Sequence, residues 1–298
     1  MKVTVIGLGA MGMGMALSAL RGGHETTGFD IAEAARARFA EAGGKTAATP
    51  AEAVAGAEAV FCVVVNAAQM ESVLFGEGGV AAALPKGALF VACPTVDPAV
   101  ARATAARLEE AGVLYLDAPI SGGAVKAADG ALTIMASGSA AAFEAAQPAL
   151  DSVAETVFRL GDEAGPGSAM KMINQLLAGV HIAAAAEAMA LAARSGLDLK
   201  QTYEVITKAA GNSWMFENRV PHIIEGDYSP RSAVEIFVKD LGIVLGAGHA
   251  ERFPLPLSAA AHQLYLAAAG AGHGREDDSA VIKVYQKLTG IDLPADKG

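Results

Sequence analysis

Lys171 and Asn174 stand three residues apart in a stretch, from about Ser168 to Arg194, that is otherwise largely apolar. At helical pitch that spacing puts an amine and an amide on one face, within reach of a common ligand. Oxidation of an alcohol needs a base for the hydroxyl proton while hydride leaves carbon. Lysine serves as that base where burial and a neighbouring positive charge bring its pKa down from ~10.4 towards neutrality. A lone lysine near a helix start is more often an ion-paired surface residue, so the reading depends on its companions. Asp117-Ala118-Pro119-Ile120-Ser121-Gly122-Gly123 supplies them: the Ser121 hydroxyl and the bare backbone of Gly122 and Gly123 are donors suited to a carboxylate. Ser121 does not read as a nucleophile, because the GxSxG elbow is absent and no histidine and aspartate partners are recognisable. The six histidines show no HExxH or similar spacing, so no metal is expected.

A second constellation lies at the start of the chain. Gly7-Leu8-Gly9-Ala10-Met11-Gly12 follows an apolar run, Val3 to Ile6, and opens a helical stretch. In that context the first glycine permits a tight turn, the second lets backbone approach a pyrophosphate, and the third lets helix pack on strand. Backbone N–H groups and the helix dipole then hold the anion. Eighteen residues beyond Gly12, Asp30 ends the next apolar run, where an acid can accept hydrogen bonds from both adenosine ribose hydroxyls. Its charge opposes a 2′-phosphate, so the expected cofactor is NAD. Arg36 and Arg38 keep NADP open, and Asp30 as a simple cap of the helix starting near Ala32 is the bland alternative.

These residues need a scaffold, and the pattern provides one. Up to about residue 160, short β-branched runs alternate with helical stretches, which predicts a doubly wound parallel α/β sheet. The expected strands are Val3 to Ile6, Thr26 to Phe29, Val60 to Val65, Leu89 to Ala92, Leu114 to Asp117, Thr133 to Ala136 and Thr156 to Arg159. Gly165-Pro166-Gly167 punctuates the chain, and the long helix after it would run ~40 Å at 1.5 Å per residue. Its apolar middle tempts a membrane-spanning reading, but Lys171, Asn174, Gln175, His181 and Glu187 favour a helix buried between domains or subunits. The rest shows helical periodicity and no strand pattern. Two domains follow: residues 1–162 as an α/β cofactor domain and 163–298 as an all-helical substrate and oligomerisation domain.

Composition limits the partners. With 22 basic and 32 acidic residues the net charge is −10, the wrong sign for generic binding to nucleic acid or anionic membrane. Cys62 and Cys93 both fall within apolar runs, and buried, unpaired thiols suit a reducing cytoplasm. A secretory leader is not expected, since four glycines interrupt the first apolar stretch and its removal would delete the first strand.

Taken together, Gly7 to Gly12, Asp117 to Gly123, Gly167 to Asn174 and Lys239-Asp240 resemble, in order and spacing, the β-hydroxyacid dehydrogenase family over nearly the whole chain. The resemblance implies an NAD-binding Rossmann domain followed by an all-α domain, an active site in the cleft between them, and a homodimer or homotetramer built on the second domain. It implies Lys171 as the catalytic lysine and Asn174 as the amide that positions substrate, with Ser121, Gly122 and Gly123 as the substrate loop. Thr95 matches the residue near the nicotinamide, and Lys239 the lysine that reaches the cofactor. Val65 and Asn66, ending the third strand, are expected to line the cofactor path. Where family members commonly carry two asparagines after the lysine, this chain has Asn174-Gln175.

Three segments, 211–219, 232–241 and 275–279, look most like the branch that oxidises L-threonate at C2 to the 2-oxo acid. A polyhydroxylated acid needs several fixed polar partners, and Asn212, Ser213 and His181 are candidates, although a helical histidine is more often packed or capping. Trp214 reads equally as core or substrate wall. The rival enzymes are 3-hydroxyisobutyrate dehydrogenase and tartronate or succinic semialdehyde reductases. From another class comes a non-catalytic dinucleotide-binding regulator, against which Lys171 argues.

Overall fold

A computed structural model describes residues 1–295. The first part of the chain runs β1 (Lys2–Ile6), α1 (Ala10–Arg21), β2 (Glu25–Phe29), α2 (Glu33–Glu41), β3 (Lys45–Thr46), α3 (Pro50–Val54), β4 (Ala59–Cys62), α4 (Ala67–Phe75), β5 (Leu89–Ala92), α5 (Pro98–Glu110) and β6 (Leu114–Asp117). Then come β7 (Ile120–Ser121), α6 (Gly123–Asp129), β8 (Leu132–Ala136), α7 (Ala140–Val153) and β9 (Ala154–Arg159). The six strands β1 to β6 form one parallel sheet in the order β3-β2-β1-β4-β5-β6, the order of a dinucleotide-binding doubly wound fold.

Both faces of this sheet are buried, which is why its strands read as continuous apolar runs rather than alternating ones. Val3, Val5, Phe61, Leu89, Val91 and Leu116 pack on one side with Met15 of α1 and Phe143 of α7. Ile6, Val60, Cys62, Phe90, Ala92 and Tyr115 face the other side with Val54 of α3, Leu74 of α4 and Leu108 of α5. Both cysteines are fully enclosed, and burial pushes each thiol up, Cys62 to about 12.

The expected strands at 133–136 and 156–159 exist but leave this sheet. They are β8 and β9 of a separate three-stranded sheet, with β7 antiparallel to β8 and β8 parallel to β9. A parallel neighbour needs a crossover of a dozen or more residues, and only Ala118-Pro119 separate β6 from β7. The chain therefore turns back, joined to the end of β6 by the paired backbone of Asp117 and Ser137. Two elements escaped the sequence reading, β3 and β7, each only two residues long. The strand expected over 60–65 is shorter, because after Cys62 the backbone leaves the sheet.

The remaining elements are helices: α8 (Pro166–Arg194), α9 (Leu199–Ile206), α10 (Trp214–Glu225), α11 (Val234–Ala250), α12 (Pro256–Ala268), a π turn (Ala269–His273), a 3-10 turn (Asp278–Val281) and α13 (Ile282–Thr289). The chain divides into two compact units whose boundary in the sequence falls within α8, the first Met1–Lys171 and the second from Met172 on. The second core gathers Ile182, Ala186 and Met189 of α8 with Phe216, Val220, Phe237, Leu241 and Tyr265. By length and apolarity alone α8 is the single helix among the described residues able to cross a membrane.

Beside this core lies a buried ionic cluster. Arg219 holds Asp278 through Nε and Nη2 at 2.5 and 3.1 Å, and His222 Nδ1 lies 2.8 Å from Asp277 Oδ1, to which the Ser279 hydroxyl also donates. It joins α10 to the turn after α12, and it unites two of the three segments that resemble one branch of the family.

Candidate active site

The glycine loop bridges β1 and α1. Gly7 has a φ of +95°, and a Cβ there would collide with the Val63 carbonyl oxygen where β1 and β4 diverge. A Cβ on Gly12 would strike the Gly7 carbonyl, so this glycine is what lets α1 begin against the strand end. Gly9 differs: a Cβ there would meet nothing within 4 Å, so its backbone faces open space. The first α1 hydrogen bond to the preceding turn is Met13 N–H to Gly9 O, which leaves the amides of the first turn directed along the helix axis. Such a cradle fits a pyrophosphate.

Asp30 follows β2 directly. Its Oδ2 accepts from the Leu8 N–H at 2.7 Å and its Oδ1 from the Ala32 N–H at 2.8 Å. The capping contact at Ala32 thus exists, yet each carboxylate oxygen keeps a second lone pair. Arg36 donates to the Asp30 and Ile31 carbonyls at 2.5 and 3.4 Å and lies over the Phe29 ring. Its guanidinium is committed to the backbone beside the acid.

Along the same carboxyl edge, Val65 is exposed in the loop after β4. Asn66 caps α4, accepting from the Gln69 N–H at 2.8 Å. Thr95 is half-buried in the loop after β5. Ser121 ends β7, and Gly122 and Gly123 turn the chain into α6 with φ of +137° and +74°, values that side-chain-bearing residues rarely adopt.

Asp117 has a role its motif did not disclose. Fully buried at the end of β6, it accepts from the Ser168 hydroxyl at 2.7 Å, the Ser168 N–H at 2.8 Å, the Gly165 N–H at 3.0 Å and the Ser137 hydroxyl at 3.4 Å. Ser137 Oγ in turn accepts from the Gly167 N–H at 2.9 Å. Burial pushes the Asp117 carboxyl above the usual range, with the Ser168 and Gly165 hydrogen bonds pulling the other way. The acid caps α8, which starts with Pro166 at its first position and carries Lys171 in its second turn. Lys171 is only 6% exposed.

In the second unit, Asn174 and Lys239 are ends of one chain of polar contacts, two hydrogen bonds and an ion pair. Asn174 Nδ2 donates to Gln175 Oε1 at 2.9 Å, Gln175 Nε2 donates to Asp240 Oδ2 at 2.5 Å, and Lys239 Nζ pairs with Asp240 Oδ1 at 2.8 Å. Asn212 and Ser213 have local partners. Ser213 caps α10, accepting from the Phe216 N–H, while the Asn212 amide donates to Glu217 at 2.5 Å. His181 is half-buried on α8, and Trp214 is exposed at the start of α10. No group of histidine, cysteine and acidic residues among the described residues could hold a metal.

Residues 2–161 match the family described as the NAD binding domain of 6-phosphogluconate dehydrogenase, and residues 165–285 the one described as NAD-binding of NADP-dependent 3-hydroxyisobutyrate dehydrogenase. An L-threonate dehydrogenase of Cupriavidus necator is 56% identical over 98% of both chains. The chain belongs to the β-hydroxyacid dehydrogenase family. An L-threonate dehydrogenase of Escherichia coli K12 is 53% identical over 99% of this chain and 97% of its own. The crystal structure of 3-hydroxyisobutyrate dehydrogenase from Salmonella typhimurium superposes with a TM-score of 0.91 at 53% identity, over 95% of this chain and 99% of that one. Like the family, this chain is a dehydrogenase of small hydroxy acids that uses a nicotinamide dinucleotide.

Proposed function

We propose that the chain oxidises L-threonate at C2 to the 2-oxo acid, with NAD as oxidant and Lys171 as general base. The observation that carries the substrate is the 56% identity to an L-threonate dehydrogenase across 98% of both chains. When bound, the nicotinamide supplies the hydride acceptor. Lys171 takes the hydroxyl proton as the C2–H bond breaks, and the capping of α8 by Asp117 fixes where that amine starts from. Ser121 with Gly122 and Gly123 binds the carboxylate, and Asn174 orients the hydroxyl-bearing carbon. Asn212 and Ser213 border the substrate. Gly7, Leu8, Gly9, Ala10, Met11 and Gly12 hold the pyrophosphate, Asp30 the adenosine ribose, and Val65, Asn66, Thr95 and Lys239 the rest of the cofactor.

The test is NADH formation across C3 and C4 hydroxy acids. L-threonate is expected to give the highest kcat/KM, and a preference for 3-hydroxyisobutyrate would select the second reading, which the Salmonella structure favours. Lys171→Ala should keep NADH binding while kcat falls by about 10²–10⁴, the usual contribution of general acid–base catalysis. Turnover within a few-fold of wild type would remove the lysine from the mechanism.

The same reading extends to the assembly. Met170, Ile173 and Leu177, 45%, 48% and 49% exposed, lie with Leu191 along one side of α8, a face suited to a second copy in a dimer or tetramer. Residues 1–162 then serve the cofactor and 163–298 the substrate and assembly. The protein works in the cytoplasm, where its cysteines stay reduced, without nucleic acid or membrane as partner.

A further inference from the structure

Gln175 stands where family members commonly have a second asparagine, and it is 8% exposed. Its amide uses both ends: the oxygen accepts from Asn174 and the nitrogen donates to Asp240. Asp240, 1% exposed, receives the Lys239 ammonium on its other oxygen. A buried carboxylate is costly unless its oxygens are paired, so Asp240 holds Gln175 and Lys239 in place as firmly as they hold it. The approach of α8 to α11 that makes this possible depends on Gly179, one turn beyond Gln175. A Cβ there would come within 2.9 Å of the Phe237 ring and 3.1 Å of Leu241.

We propose that Gln175 and Asp240 are positioning residues that tie the substrate amide of Asn174 to the cofactor lysine, Lys239, so that filling one site biases the other. The proposal rests on the roles given above to Asn174 and Lys239. Gln175 is engaged at both ends within the protein. It acts by orientation: with Nδ2 donated to Gln175, Asn174 keeps its oxygen as the acceptor for substrate, and with Oδ2 of Asp240 satisfied by Gln175, Oδ1 remains with the ammonium. Turning either end disturbs the other through two hydrogen bonds and an ion pair. Leucine at 175 breaks both. Glutamate keeps an acceptor for Asn174 but sets a second carboxylate against Asp240.

The experiment titrates NADH by fluorescence with and without saturating L-threonate in wild type, Gln175→Leu, Gln175→Glu, Asn174→Ala and Lys239→Ala, with thermal midpoints for each. In wild type, L-threonate should change the NADH Kd by about 5-fold or more, the lower end of ordinary coupling between sites. Asn174→Ala should raise KM for L-threonate, and Lys239→Ala should raise the NADH Kd. Gln175→Leu should move both constants and bring the coupling ratio within about twofold of one. Gln175→Glu should weaken cofactor binding more than substrate binding. If the two end variants behave as stated while Gln175→Leu keeps the wild-type ratio, or if wild type shows no coupling, the relay is wrong and the functional reading stands. If Asn174→Ala and Lys239→Ala leave both constants unchanged, the functional reading falls, and the relay with it.

Discussion

Asp30 illustrates how much a single side chain can decide. Both its oxygens are already pinned by backbone N–H groups, at Leu8 and Ala32, so the carboxylate cannot swing away from the end of β2. On the proposed reading, a negative charge held there accepts ribose hydroxyls and opposes a phosphate in the same place. Asp30→Ala should therefore weaken NAD about tenfold or more while leaving NADP nearly unchanged, as measured by paired Kd titrations. An unaltered NAD-to-NADP ratio would sink the assignment. Glycines 7, 9 and 12 and Lys171 stood out in the sequence because the reasons for them are local: a turn, an open backbone, a lysine within an apolar stretch. The structural roles of Asp117 and Gln175 did not. Their partners lie 48 and 65 residues away, at Gly165 and Asp240, and only the folded chain brings them together.

At the scale of elements, the apolar runs predicted each of the six sheet strands except β3, whose two residues carry no pattern. The misplacement of β8 and β9 has a plain cause: alternation of strand and helix says nothing about which sheet a strand joins, whereas the short β6–β7 link does. The ionic cluster beneath α10 was equally illegible, since Arg219 and His222 meet Asp277 and Asp278 across more than fifty residues. Its titration is testable. Burial raises the Asp277 carboxyl, but hydrogen bonds from His222 and Ser279 and the nearby charge of Arg219 outweigh it and hold it down to about 2. A carboxyl depressed in the folded state adds stability above its ordinary pKa of ~4 and loses it as pH falls through the folded value. Burial pushes Asp278 up to about 6 against the pull of Arg219, so its contribution runs the other way, present below ~4 and lost as pH rises through about 6. Between pH 4 and 2, wild type should lose on the order of 2 kcal/mol more than Asp277→Asn in denaturant melts. Parallel curves would show that Asp277 does not drive the acid limb.

For the whole molecule, the apolar side of α8 is the feature that a monomer explains least. Leu177→Glu places a charge in the middle of that face and should shift the mass measured by light scattering towards one chain. A wild type already monomeric at micromolar concentration, or a variant of unchanged mass, would remove this face from the assembly. Because the change lies on a solvent-exposed position, the thermal midpoint of an isolated chain should barely move.

The clasp between Asp117 and the start of α8 has a consequence for the order of folding. The helix that bears Lys171 borrows its cap from the end of β6, and the intervening segment holds β7, α6, β8, α7 and β9. Closing that loop carries an entropic cost that falls once the segment has its own structure. β6 and the strands of the small sheet precede α8 along the chain, so they emerge first during synthesis. The start of α8 is therefore tied to a scaffold earlier in the chain, and a chain whose first unit fails to fold leaves the helix that bears Lys171 without its cap.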